Sequence, residues 1–210
     1  MQDTRKTRQV LRSVSTVAVG VQDGSFESFQ RGVVNPIQCT SLCCTRLQGP
    51  ELLDLRVVPI TVDGLDAGVN IVNILRDWEM DVIILGGATF AGFNVVDVNY
   101  VYRKIGKPII VYMSKYPDMD ATLSALRKHF PDWRERWRRY EALGKIHEVK
   151  IGEQPLSYFE VVGGSVGYAE NVLKEQAIHG RMPEALRLAD LIAKGTSSVF
   201  QDPMGTGRGS

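Results

Sequence analysis

Residues 53–85 read LDLRVVPITVDGLDAGVNIVNILRDWEMDVIIL, and along this stretch the spacing of the apolar residues changes twice. Residues 53–62 are rich in β-branched side chains, which predicts a strand. Residues 67–78 place apolar side chains three and four positions apart, as one face of a helix does. Residues 81–85 form a short apolar run that is typical of a strand buried on both faces. The stretch therefore predicts the order strand, helix, strand.

The same patterns extend in both directions from this stretch. Two strands are predicted before it, at 14–21 and 37–47, and the connections between the three strands contain Gly, Pro or Asn, as hairpin connections do. Helices are predicted after it at 95–104, 121–143 with a division at Pro131, 166–177 and 183–193, and strands at 108–113, 146–151 and 158–162. Three antiparallel strands followed by alternating helices and strands predict an α/β fold, in which a mixed sheet carries helices on both faces.

The composition indicates one folded domain. The chain has 210 residues, of which 44% are hydrophobic and 23% charged, values that are ordinary for a domain with one buried core. We predict a basic N-terminal arm at 1–13, a single domain at 14–195 and a flexible Gly/Ser-rich tail at 196–210. The net charge of +1 excludes binding of nucleic acid through a global positive field, so any such contact requires a local basic patch.

The sequence carries no pattern typical of export or membrane insertion. No apolar run approaches the roughly 20 residues that a membrane span needs, so we expect no membrane contact. The cysteines Cys39, Cys43 and Cys44 are odd in number, which favours reduced thiols in a cytoplasmic protein over a disulfide framework. A zinc site is not expected, because no second cysteine pair or nearby histidine completes four ligands. We interpret the three thiols as small buried groups on a strand.

Glycines and polar residues are concentrated where the predicted strands end. Residues 20–26, 62–66 and 85–97 each combine glycine with Asp, Asn or Gln, and ligands of open α/β sheets bind beyond the carboxyl ends of the strands. Carboxylates that converge there would suit a metal-dependent phosphodiesterase, because Mg²⁺ and Mn²⁺ prefer oxygen ligands. Taken singly, each Asp-Gly or Gly-Gly pair is more typical of a plain turn.

Four motifs carry a resemblance to a known family. ITVDGLDA at 60–67, TFAGFNVVD at 89–97, LRKHFPD at 126–132 and GRMPEALRLADLIA at 180–193 resemble, in this order, the archaeal family called domain of unknown function 99. The match covers most of the chain, from 17 to 193. That family is similar to endonuclease V, which cuts DNA or RNA near a deaminated adenine with Mg²⁺ held by acidic residues. The resemblance implies a ribonuclease H-like fold and a nuclease-type site.

This chain departs from the family at two positions that the resemblance assigns to metal ligands. The first metal-binding Asp falls at Gln22 and the second at Gly86, whereas the later acidic positions correspond to Asp66, or else Asp63, and to Asp190. Gln22 offers an amide oxygen without charge, and Gly86 offers no side chain. Mg²⁺ loses its water reluctantly, so we expect no cofactor and a loss of metal-dependent nuclease activity.

An active site assembled from the remaining carboxylates is the alternative. Its candidate catalytic residues are Asp23, Asp63, Asp66, Asp97 and Asp190. Of these, Asp66, Asp190 and Asp23 would hold Mg²⁺ or Mn²⁺ if the protein is active. Asp97 is otherwise interpreted as a structural partner of its turn, and Asp190 as a solvated helix residue.

A second set of candidates could bind a base or nucleoside without a metal. These are Gln22, Gly86, Gly87, Thr89, Phe90, Phe93 and Asn94. The glycines allow close backbone approach, and the other side chains can stack on a base or hydrogen-bond to it. The alternative is that Phe90 and Phe93 fill the space between helix and sheet.

Basic residues in the second half of the chain complete the candidates. In the segment WRERWRRY at 133–140, Arg134 and Arg138 share one helix face, and Trp133 and Trp137 lie on an apolar stripe. The stripe is typical of a helix that covers the sheet, whereas the arginines offer a local cationic surface for phosphates.

The closing motif adds Arg181 and Arg187 as candidate phosphate contacts. The alternative there is a pair between Arg187 and Glu184 that ties the last helix to the sheet.

The sequence as a whole thus predicts an endonuclease V-like pseudoenzyme that binds DNA, RNA or a protein partner. The alternatives are an active Mg²⁺- or Mn²⁺-dependent endonuclease, which is a phosphodiesterase, and a subunit of a larger protein assembly.

Overall fold

A computed structural model describes residues 15–26 and 38–201. The strands are β1 Val17–Asp23, β2 Cys39–Gln48, β3 Glu51–Thr61, β4 Val82–Leu85, β5 Thr89–Phe90, β6 Asn94–Val95, β7 Ile109–Met113, β8 His147–Val149 and β9 Ser157–Val162. The helices are α1 Ala67–Leu75, α2 Val98–Ile105, α3 Met119–His129, α4 Trp133–Glu141, α5 Val166–Gln176 and α6 Glu184–Gln201. The arm predicted at 1–13 lies outside the described residues.

Seven strands form one mixed sheet in the order β3-β2-β1-β4-β7-β9-β8, and β5 and β6 form a separate two-stranded sheet. The pairs β3–β2 and β2–β1 are antiparallel, β1, β4 and β7 are parallel, and β9 and β8 close the sheet with antiparallel pairs. This confirms the predicted α/β class. Because β1, β3, β4 and β7 run in one direction, their carboxyl ends meet at one edge, here called the carboxyl edge.

Helices cover both faces of the sheet because successive strand residues point to opposite sides. On one face, Val19 and Ile83 pack in a core with residues of α1 and α2. On the other, Ala18 and Ile84 pack with residues of α5 and α6. The thiols follow the same rule. Cys44 lies in the first core, and Cys43 packs against α6, which confirms that these two are small buried groups.

Helix α6 lies directly on β1 and β2. A side chain at Gly20 would begin 2.2 Å from the carbonyl carbon of Ala185, so the absence of a side chain allows this close approach. Thr45 Oγ1 and Ser41 Oγ donate hydrogen bonds to the carbonyls of Ala185 and Ala193, at 2.8 Å and 2.6 Å. These bonds fix the axis of α6 along β1, toward the carboxyl edge.

Two of the differences between the described and the predicted elements concern α6 and α2. Helix α6 continues to Gln201, so residues 196–201 are helical, although we predicted a flexible tail from 196. The rest of that tail lies beyond the described residues. Helix α2 begins at Val98, because β6 pairs with β5 and the Asp97 carboxylate then caps the helix by accepting the Tyr100 N–H. No helix in 15–26 or 38–201 is long and apolar enough to span a membrane.

Candidate functional site

Gln22 and Gly86 lie side by side at the carboxyl edge. Gln22 is the penultimate residue of β1 and is 9% exposed, and Gly86 follows the last residue of β4. A side chain at position 86 would begin 2.1 Å from Nε2 and 2.3 Å from Cδ of Gln22. The amide of Gln22 therefore fills the space that a side chain at position 86 would need.

An open pocket of about 360 Å³ adjoins this pair. It is lined by Gln22, Gly86, Tyr112, Met113, Ser114, Lys115, Tyr116, Pro117 and Met182. The Tyr112 hydroxyl is fixed at the wall, because it donates to the Arg181 carbonyl and shares a hydrogen bond with Ser157 Oγ. Among the described residues, the lining thus combines the neutral amide of Gln22 and the cation of Lys115 with aromatic and aliphatic walls and includes no carboxylate.

Asp66 is the centre of a hydrogen-bond network that holds the start of α1. Its carboxylate accepts bonds from the Thr61 N–H, the Thr61 hydroxyl and the Asn94 amide. Asn94 is fully buried, donates also to the Thr61 carbonyl, and accepts the Ala67 N–H at 3.1 Å. These bonds join β3, α1 and β6, so the network gives both side chains a structural role.

Asp63 and Asp23 hold the turn between β5 and β6. The Asp63 N–H donates to the Ala91 carbonyl, and its carboxylate accepts the Phe93 N–H at 2.8 Å. Asp23 accepts the Ala91 N–H. Burial raises the pKa of Asp23, the Ala91 N–H opposes that rise, and the negative charge of Asp190 adds to it. The negative charges of Asp23 and Asp190 therefore repel each other at the carboxyl edge.

The remaining carboxylates are engaged separately. Asp190 on α6 forms an ion pair with Lys194 at 2.8 Å, and Asp97 caps α2. Across the two described ranges, no three His, Cys, Asp or Glu side chains are arranged so that they could hold a metal ion. Each of the five predicted carboxylates therefore already takes part in a hydrogen bond or an ion pair, and the charge of Asp190 raises the pKa of Asp23.

The aromatic candidates of the 85–97 segment serve packing. Phe90 is 1% exposed and belongs to the core beneath α1. The Phe93 ring meets that of Phe130 edge-on at 5.4 Å. Burial raises the pKa of Tyr140, and the Thr89 side chain opposes that rise. Gly87 adopts a φ of +131°, a conformation that the turn after β4 requires and that L side chains rarely adopt.

Helix α4 is anchored by arginines, contrary to the apolar stripe that we predicted. Its buried residue is Arg136, which bonds to Asp132 at 3.0 Å and donates to the carbonyls of Gly64 and Phe93 at 2.9 Å and 2.6 Å. The guanidinium also lies 4.3 Å from the centre of the Phe130 ring. The tryptophans are only half-buried, because this charged contact with two loops occupies the inner face of the helix.

The other predicted arginines divide into two groups. Arg134 and Arg138 remain exposed on α4. Arg181 donates to the Leu156 carbonyl at 2.7 Å. Arg187 binds both oxygens of Glu184, at 2.8 Å and 2.6 Å, which agrees with the expected Arg-Glu pair.

Two acidic residues have properties that the sequence did not reveal. Glu184 is 4% exposed, and its bonds to Arg187 and His179 lower its pKa to about 2. Glu160 on β9 is 7% exposed, and burial raises its pKa to about 7. The signal for Glu160 is its place in the run SYFEVV, where a charged residue interrupts an otherwise apolar strand.

Comparisons with known proteins identify the family of this chain and solved structures with a similar fold. The family model for endonuclease dU matches residues 15–197. A UPF0215 protein of Pyrococcus furiosus is 35% identical over 190 residues, which are 89% of this chain and 93% of that protein. A UPF0215 protein of Methanosarcina barkeri is 41% identical over 140 residues, 65% of this chain and 71% of that protein. These relatives agree with the archaeal resemblance.

Two solved structures have the same fold. A protein of unknown function from Archaeoglobus fulgidus superposes with a TM-score of 0.72 at 29% identity, covering 85% of this chain and 96% of that chain. Endonuclease V of Ciona intestinalis, in complex with a 24mer DNA containing an inosine followed by a ribo-adenosine, superposes with a TM-score of 0.53 at 13% identity, covering 87% and 85%. The fold is therefore ribonuclease H-like, as expected. With its family model matched from 15 to 197, this chain belongs to the endonuclease dU family.

Proposed function

We propose that this protein binds nucleic acid on an endonuclease fold and does not cleave it through metal ions. The observation that carries the proposal is the contact between Gln22 and Gly86. The two positions that the family resemblance assigns to metal-binding aspartates hold a neutral amide and a glycine, and the amide fills the space between them. A metal ion would meet one uncharged oxygen there in place of two carboxylates.

The surrounding carboxylates support the same conclusion. Asp63 and Asp66 accept hydrogen bonds from the backbone or side chains of neighbouring loops, and Asp190 is paired with Lys194. Each of these carboxylates thus already has a hydrogen-bond or ion-pair partner of its own. Mg²⁺ binds where several free oxygen ligands meet in near-octahedral geometry, and it otherwise keeps its water shell.

Nucleic acid is the proposed ligand because of family and charge. The chain belongs to a family named for an endonuclease, and the Ciona intestinalis protein with the same fold was solved with DNA. The protein also exposes arginines on α4 beside the carboxyl edge. A basic patch of this kind can bind phosphates although the net charge of the chain is only +1.

The test joins binding to cleavage in one gel. Labelled single- and double-stranded DNA and RNA, with and without one inosine or deoxyuridine, are incubated with the protein in Mg²⁺, Mn²⁺ or EDTA. We expect a mobility shift without new fragments, and the shift should persist in EDTA. Fragments that disappear in EDTA would show metal-dependent cleavage, and the absence of any shift at low salt would contradict nucleic-acid binding.

Metal-dependent cleavage is the second candidate, and one observation favours it. The charge of Asp190 raises the pKa of Asp23, so two carboxylates interact at the carboxyl edge, and a divalent cation would relieve their repulsion. If fragments appear, Asp23→Asn and Asp190→Asn should each abolish them. Asp120→Asn, at an exposed position in the first turn of α3, is the matched control.

A further inference from the structure

The hairpin formed by the end of α3 and by α4 concentrates positive charge. Residues 127–139, RKHFPDWRERWRR, contain six Arg or Lys and two Asp or Glu, a net charge of +4. The whole chain carries +1, so all other residues together carry −3. A surface of this sign on a chain otherwise negative is a local field that attracts anions.

The structure separates these cations into anchors and free groups. Arg136 and Arg139 are anchors, because they bond to backbone carbonyls and to Asp132 and Glu135 respectively. Both carboxylates of the segment are thereby paired with these two arginines. The free groups are Arg127, Lys128, Arg134 and Arg138, which are exposed and have no carboxylate partner within the described chain.

Trp133 brings two of the free groups together from different helices. The Arg127 guanidinium of α3 lies 4.9 Å from the centre of the Trp133 ring, and that of Arg134 lies 4.5 Å from it. Cation–π contacts of this kind hold a guanidinium in place without neutralising it. The ring therefore orders two charged donors on one surface, which reduces the entropy lost when they bind an anion.

The anchors join this surface to the carboxyl edge. Arg136 binds the carbonyls of Gly64, in the turn after β3, and of Phe93, in the turn between β5 and β6. The Arg139 guanidinium donates to the Val95 carbonyl at 2.7 Å. The hairpin is thus fixed beside the edge where Gln22 and Gly86 lie, and it carries the four exposed cations there.

We infer that Arg127, Lys128, Arg134 and Arg138, here called the hairpin patch, bind the phosphate backbone of a nucleic acid that passes the carboxyl edge. The inference rests on the proposed function and adds the surface that holds the ligand. Several cations without a carboxylate partner on one helical hairpin can contact neighbouring phosphates of a strand. Such contacts give affinity without sequence preference and weaken as salt rises.

The experiment measures the salt dependence of binding. Binding of a fluorescently labelled 24-nucleotide oligomer, single-stranded and duplex, is followed by anisotropy between 50 and 300 mM salt. The variant Arg134→Glu, Arg138→Glu should bind at least about tenfold more weakly at low salt. Its log–log salt slope should fall by about 1.4 to 1.8, since each lost phosphate contact removes about 0.7 for single strands and 0.9 for duplexes.

The matched control reverses two cations at the opposite edge of the sheet. Arg103 and Lys104 are exposed in the last turn of α2, which leads into the start of β7. Arg103→Glu, Lys104→Glu makes the same charge change and should keep the affinity within about twofold. A neutral variant, Arg134→Gln, Arg138→Gln, separates loss of contact from added repulsion, and circular dichroism verifies that each variant is folded.

Each outcome decides between the two proposals. If the wild-type protein binds and the hairpin variants bind equally well, the patch is wrong while the proposed function stands. If the wild-type protein binds no oligomer at low salt, both are wrong. If polyglutamate displaces the oligomer at equal charge concentration, the patch serves an acidic protein instead, which also overturns the inference.

Discussion

The side-chain nitrogen of Gln22 lies 2.1 Å from the point where a side chain at position 86 would begin, so the residue at the end of β1 and the residue after β4 occupy one space. Gly86→Ala should therefore destabilise the protein by about 1 kcal/mol, the low end for overpacking, because the amide ends a flexible side chain that borders an open pocket. In a Gln22→Ala background the same change should cost little. Urea unfolding of the four proteins gives the coupling free energy, expected near 1 kcal/mol.

Gly20→Ala is the comparison for the double-mutant cycle of Gln22 and Gly86. Its new methyl group would lie 2.2 Å from the Ala185 carbonyl carbon and 2.6 Å from the Leu186 nitrogen, both backbone atoms of α6. A helix backbone cannot rotate away as the Gln22 amide can. The free energy of unfolding should therefore fall by about 3 kcal/mol, and Gln22→Ala should not reduce this destabilisation. If the changes in unfolding free energy caused by Gln22→Ala and Gly86→Ala simply add in the double variant, the two side chains do not compete for one space.

Glu160 should make the protein less stable as the pH rises toward neutrality. Its pKa is about 7 in the folded protein, above the ordinary 4.5, so the folded state holds a proton that the unfolded state has released. Stability should fall between pH 4.5 and 7, by roughly 2 kcal/mol. Glu160→Gln should remove most of this fall and be the more stable protein at pH 8. Urea midpoints at pH 5, 6, 7 and 8 test it; parallel curves for the two proteins would refute it.

Glu184 should act in the opposite direction and in a more acidic range. Its pKa of about 2 lies below the ordinary 4.5, because Arg187 and His179 bind the ionised carboxylate. The contribution is fully present above pH 4.5 and is lost as the pH falls toward 2. Glu184→Gln should cost roughly 2 kcal/mol at pH 7, and the difference from wild type should shrink on acidification. A difference that stays constant from pH 7 to 3 would sink this assignment.

Arg136 should be the most sensitive position in α4. Arg136→Ala leaves the carbonyls of Gly64 and Phe93 without their guanidinium donor, and each unpaired buried group costs about 1–3 kcal/mol. We expect a loss of about 3 kcal/mol in urea unfolding, with faster amide exchange at 61–66 and 91–94. Arg138→Ala, two residues along the same helix and exposed, should change stability by less than about 0.5 kcal/mol.

The order of elements was predictable because each element carries its own periodicity. Strand β3 and helix α1 were recognised from spacing alone, within a few residues of their ends. The last eight residues of α6, KGTSSVFQ, were not, because Gly195 and the run TSSVFQ have weak helix propensity. Ser197 shows what compensates: it is 3% exposed, donates to the Ala193 carbonyl and accepts the Ser25 N–H. Contacts with a distant loop thus extend the helix where the local sequence favours a turn.

The candidate site was predictable as a location but not as a geometry. Glycine and acidic residues at strand ends pointed to the carboxyl edge, and the structure places Gln22 and Gly86 there together. That Gln22 fills the space beside Gly86 depends on the pairing of β1 with β4, which no local pattern encodes. Similarly, four arginines on α4 look alike in sequence, and only the packed loops select Arg136 as the buried one.

The bonds from β2 to α6 also have a consequence for the timing of folding. Ser41 and Thr45 reach partners 152 and 140 residues later in the chain. During synthesis, one face of β1 and β2 therefore stays uncovered until α6 is made, and α6 is the last of the described elements to be synthesised. Contacts so distant in sequence slow folding and leave apolar strands open to wrong partners in the meantime. Chains truncated before Glu184 should accordingly require a chaperone to remain in solution.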